Sequence, residues 1–141
     1  MTIEKFLSSQ EPDRQALLKK IHAIISKGDK STTAVIGSMM GKTMILYNQN
    51  GQMKYALATV KNYMSLHVLP MYMNKSVFEK YKALLPDANF QKGCINFTTA
   101  VEMPVAIVEK LIKDCAPIDL KKVKEDYLKA KKAKSKRINS E

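Results

Sequence analysis

Few side chains in this sequence have the chemistry to form a site. His22 and His67 are its histidines and Cys94 and Cys115 its cysteines. Zinc centres draw three or four nitrogen, sulfur or carboxylate ligands, often at short spacings, and the chain has no CxxC or HExxH stretch. A nucleophilic cysteine needs a nearby cation or helix N-terminus to lower its pKa, and a base within hydrogen-bond reach. Cys94 has Lys92 close in sequence, but as a strand cysteine it reads more simply as a small buried hydrophobe. Cys115 falls on an apolar helical stripe and reads as core. His22 borders such a stripe and reads as hydrogen-bonded or solvated. His67 alternates with Leu66 and Val68, so it projects to the opposite face of its strand. A small enzyme using Cys94 or His67 in a sheet-side pocket is one rival reading, although no catalytic constellation is marked by position.

Two stretches suggest phosphate. Gly37-Ser38-Met39-Met40-Gly41-Lys42-Thr43 is one residue short of a P-loop and runs into strand-like residues instead of a helix, so it reads as a glycine-bounded turn. The basic tail carries Lys129, Lys131, Lys132, Lys134, Lys136 and Arg137 with no acid between Tyr127 and Arg137. These six cations are candidate contacts for sequence-blind nucleic-acid binding. Tyr127 is the only aromatic there, so a solubilising tail is the simpler reading. Nine methionines, concentrated in the middle of the chain, suit core filling, with a partner-binding groove near Leu69–Met73 as the minority reading.

The elements that must position these groups follow from pattern. The chain has 141 residues, 45% apolar content and a net charge of +11, and a chain this long buries about two-thirds of its surface. One domain over residues 1–120 is expected, followed by a basic C-terminal helix and tail over 121–141 whose far half frays. No charged-then-apolar leader and no apolar run near the roughly 18 residues of a membrane span appear, so a soluble cytoplasmic protein is expected. A helix begins at Pro12 with Leu17, Leu18, Ile21, Ile24 and Ile25 inward and ends near Gly28. Alternation over 32–70, with Asn50-Gly51 as a hairpin signal and Lys61-Asn62 as the next turn, predicts an antiparallel meander. Asn suits such a turn because it tolerates positive φ better than other residues with a side chain.

Ser76-Val77-Phe78-Glu79 predicts a capped second helix ending before Pro86. A short strand follows at Cys94–Thr99, then a third helix opened by Pro104 with Val108, Leu111, Ile112 and Cys115 inward. Asp119 caps a fourth, with Leu120, Val123, Tyr127 and Ala130 expected toward the body. The fold class is α+β, with about five antiparallel strands and helices packed on one face of the sheet.

Ile36-Gly37, the stretch Tyr55-Ala56-Leu57-Ala58-Thr59-Val60-Lys61-Asn62-Tyr63-Met64-Ser65-Leu66-His67, and Phe90-Gln91-Lys92-Gly93-Cys94-Ile95-Asn96-Phe97 together resemble the YdhG-like family, domain-of-unknown-function family 1801. The likeness covers about residues 11–116 and implies a frataxin-like α+β fold. It also implies an accessory role without catalysis, and for one branch an iron chaperone serving iron-sulfur cluster assembly. The resemblance supplies no functional residues. Iron in such a role is held by hard oxygen ligands on an acidic surface, whereas this chain is basic, and Glu11/Asp13 and Glu125/Asp126 are its close carboxylate pairs. The expected function is therefore binding, with iron as a cofactor implied by resemblance alone. An unidentified protein or small-ligand partner is expected, with nucleic-acid association through the tail as the alternative, no membrane partner, and a monomeric or dimeric state.

Overall fold

The computed structural model describes the backbone of residues 1–139 and the side chains of residues 1–132. Strands Thr33–Met39 (β1), Lys42–Gln49 (β2), Gln52–Thr59 (β3) and Met64–Val68 (β4) form the meander. Asn89–Gln91 (β5) and Cys94–Phe97 (β6) return as a hairpin, giving a six-stranded antiparallel sheet in the order β1-β2-β3-β4-β6-β5. The strand beyond the expected five is β5, three residues long and too short to carry a period in sequence.

Turn chemistry explains the register. Asn50 and Gly51 both adopt positive φ, the geometry whose twist matches an antiparallel hairpin, and Met40-Gly41 does the same between β1 and β2. Gly37–Thr43 is thus strand, turn and strand, with no helix N-terminus after Lys42-Thr43 of the kind a P-loop aims at phosphate. Lys61-Asn62 forms the expected turn between β3 and β4, but without positive φ at Asn62: among the described residues the non-glycine positions with positive φ are Met40, Asn50 and Lys92. The β3–β4 turn is closed instead by Val60 N–H donating to Tyr63 O at 2.9 Å, while the Arg14 guanidinium donates to Val60 O and Lys61 O at 2.6 and 2.9 Å.

Helices Ile3–Ser8 (α1), Pro12–Gly28 (α2), Leu69–Met73 (α3), Lys75–Leu84 (α4), Val105–Cys115 (α5) and Leu120–Asn139 (α6) complete the chain. α1 and α3 are too short to show a stripe in sequence. α4 begins at Lys75, with its cap at Asn74, two residues before Ser76, because the Asn74 side chain accepts from Val77 N–H. Leu17, Leu18, Ile21 and Ile25 of α2 and Val108, Leu111, Ile112 and Cys115 of α5 are buried as expected. They pack on one face of the sheet, against Ile45, Tyr47, Tyr55, Leu57, Leu66 and Ile95.

A β-bulge decides what each face of the sheet carries. Tyr47 pairs with Tyr55 but Asn48 pairs with Met53, leaving Lys54 without a partner on β2. An extra residue of this kind re-aims its neighbours, so Lys54 and Tyr55 both reach the helix side and Met53 is sent to the other. Lys54 Nζ lies 2.7 Å from Asp29 Oδ2, to which Tyr55 O–H donates at 2.8 Å. Lys54 also donates to Ala116 O at 3.2 Å, and Gln49 links Ser31 to the Leu120 N–H. This network ties the end of α2, two strands and the α5–α6 junction. Every buried side-chain polar atom among the described residues has a partner.

α6 departs from expectation twice. Leu120 is buried and Val123 half-buried, but Tyr127 is 60% and Leu128 52% exposed, and Ala130 is exposed. The stripe toward the body therefore ends after one turn, because Val123 is its last large apolar residue before Tyr127. The far half, expected to fray, is continuous backbone helix to Asn139, over residues rich in the good helix formers Lys and Ala. No helix among the described residues is long and apolar enough to cross a membrane.

Candidate functional site

The face of the sheet away from the main helices holds Met44, Ala56 and Ala58, with Met39, Leu46 and Met53 packed against them. At its β4–β6 end lie His67 and Cys94. These two residues stand directly opposite each other in the ladder. Their neighbours Val68 and Gly93 form a hydrogen-bonded pair, with Val68 N–H donating to Gly93 O at 2.8 Å. His67 and Cys94 therefore occupy a non-hydrogen-bonded position, where facing side chains come closest. Cys94 Sγ is 3.0 Å from His67 Nδ1 and 3.6 Å from Nε2.

The pair opens into a cavity of about 210 Å³ lined also by Met53, Val68, Leu69, Tyr72, Lys92 and Gly93. Gly93 is required for this shape. A Cβ there would sit 2.9 Å from the Cβ of Tyr72, so any side chain would push Tyr72 off the rim. Lys92, at positive φ, turns the β5–β6 hairpin beside it. Tyr72 is 59% exposed and forms a wall of the pocket without closing it.

Burial sets the charge state of the pair. It lowers the His67 imidazole and raises the Cys94 thiol from their ordinary values, so both groups favour their neutral forms. Cys115 is a core residue pushed up to about 12 by burial, as its apolar stripe implies. His22 is satisfied structurally, with Nδ1 2.7 Å from the Tyr47 hydroxyl.

Sequence reading placed His67 on the correct face and left Cys94 as a buried strand residue; the structure puts Cys94 half-buried and against His67. The signal that pairs them is the register of two strands separated by α3, α4 and β5. Among the expected cationic contacts, Lys129, Lys131 and Lys132 are exposed on α6. Lys134, Lys136 and Arg137 lie outside the residues whose side chains are described. Among the described residues no group of three or more histidine, cysteine, aspartate or glutamate side chains comes together. No family model, curated protein or solved structure matches the chain.

Proposed function

We propose that this is a non-enzymatic accessory protein that carries a metal ion between His67 and Cys94 on the face of its sheet away from α2 and α5. The observation that carries the reading is the approach of a thiol and an imidazole to 3.0 Å across β4 and β6, at the mouth of an open cavity. Sulfur and imidazole nitrogen are both good donors to transition metals. The resemblance to YdhG-like proteins, one branch of which is thought to carry iron, supports metal handling from a separate direction. Iron itself fits the pocket poorly, since no carboxylate lines it.

The test is a titration of reduced, isotopically labelled full-length protein with iron(II), zinc(II) and copper(I) under anaerobic conditions, followed by backbone amide resonances. Saturable shifts centred on His67 and Cys94 are expected for at least one ion. Absence of any binding with a dissociation constant below about 100 μM overturns the reading.

A second reading rests on α6, which leaves the body with Lys129, Lys131 and Lys132 exposed. Nucleic acid held by such a helix would be bound through phosphates, without regard to sequence. Its affinity would fall steeply between about 50 and 200 mM salt and vanish on truncation after Asp126. Affinity that is independent of salt would exclude it.

A further inference from the structure

We infer that the ion taken by this pocket is monovalent copper, held by Cys94 Sγ, an imidazole nitrogen of His67 and the thioether of Met53. This rests on the metal-binding reading above and names its cargo. Met53 lines the same cavity as His67 and Cys94, and it does so because of the bulge at Lys54. With unbroken alternation Met53 would share the helix side with Tyr55. Thioether and thiolate sulfur are soft donors that select copper(I), and imidazole accepts copper readily. Met39 and Met44 continue the thioether donors across the same face.

Coordination number and charge point the same way. Zinc takes four ligands in structural sites and three plus water in catalytic ones, whereas copper(I) is satisfied by two or three. The cavity lining holds one imidazole and one thiol, with no carboxylate. On binding, the Cys94 S–H bond breaks, an S–Cu bond forms and the proton leaves to solvent, with no change of oxidation state. A monovalent ion then leaves the site with zero net charge. A divalent ion would leave a positive charge in a half-buried pocket beside Lys92, on a chain already at +11. At bond lengths of roughly 2.0–2.3 Å, sulfur and nitrogen need only part to about 3.5–4 Å to admit an ion.

The experiment titrates reduced full-length protein anaerobically with copper(I) in competition with bicinchoninate, and in parallel with zinc(II) and iron(II). One copper(I) per chain is expected, with one proton released per ion and affinity at least about 100-fold above the two divalent ions. Cys94→Ser should weaken copper(I) by more than about 100-fold, and Met53→Leu, which keeps the volume and removes the sulfur, by about 10-fold. Zinc(II) affinity should not respond to Met53→Leu. Amide spectra of each variant matching those of the parent chain establish that the fold is kept. Zinc(II) or iron(II) binding at His67 and Cys94 as tightly as copper(I) overturns the copper assignment and leaves the metal-binding reading standing. No binding of any of the three ions removes both, and undiminished copper(I) binding by Cys94→Ser overturns the inference directly.

Discussion

On the helix-covered face of the sheet, Asp29 receives Lys54, Tyr55 and Ser31, and Gln49 extends the chain of bonds to the start of α6. On the other face, His67 and Cys94 have each other and an open cavity. The first arrangement spends its hydrogen-bonding capacity on the fold; the second keeps capacity in reserve. One extra residue in β3 touches both, turning Lys54 inward to Asp29 and Met53 outward to the cavity. The buried polar network is therefore concentrated on one side of the sheet, and the open cavity lies on the other.

The sharpest way to break this comparison is to remove Lys54. Lys54→Met strands the Asp29 carboxylate in the core and should cost about 3–5 kcal/mol in urea denaturation, as for other halved buried ion pairs. A loss under 1 kcal/mol would show that Asp29 is not held by this network. Tyr55→Phe removes one hydrogen bond to the carboxylate and should cost about 1.5–3 kcal/mol.

Acid sharpens the contrast next. Burial alone would raise Asp29, but hydrogen bonds from Lys54, Ser31 and Tyr55 outweigh it and hold the carboxyl below its ordinary value. A group with a depressed folded pKa gives stability that is complete above the unfolded value and lost as pH falls through the folded one. Unfolding free energy should therefore drop below about pH 4, and Asp29→Asn should flatten that drop. His22 and His67, lowered by burial, act at milder pH. The unfolded chain takes up their protons first, so stability should begin to decline below about pH 6.5, and His22→Gln should reduce the slope.

The smallest effects belong to the open face and the exposed helix. Cys94→Ser and His67→Gln should each change stability by less than about 1 kcal/mol, and truncation after Asp126 by less than about 0.5 kcal/mol. A cost for Cys94→Ser approaching that of Lys54→Met would make the open pair a structural element and remove the distinction between the faces.

Most of the fold was legible because local chemistry and tertiary packing agree. Asn50-Gly51 set a hairpin, and the apolar stripes of α2 and α5 are the ones buried. Two kinds of information were missing. The bulge at Lys54 comes from pairing across strands, and nothing in Gln52–Thr59 taken alone marks the skipped residue. The meeting of His67 with Cys94 depends on β6 returning to lie beside β4, a nonlocal choice. α6 misled for a different reason: Tyr127 and Ala130 keep the helical spacing of a buried stripe, but among the described residues no element covers them.

The most direct measurement is alkylation of Cys94 by iodoacetamide in the reduced full-length protein, with and without one equivalent of copper(I), read by peptide mass. Cys115, buried in the core, serves as the internal control. Protection of Cys94 by the ion, lost when bicinchoninate in excess removes it, is expected, with Cys115 unmodified throughout. Alkylation of Cys94 at the same rate in both samples would contradict the assignment of this pocket to a metal ion.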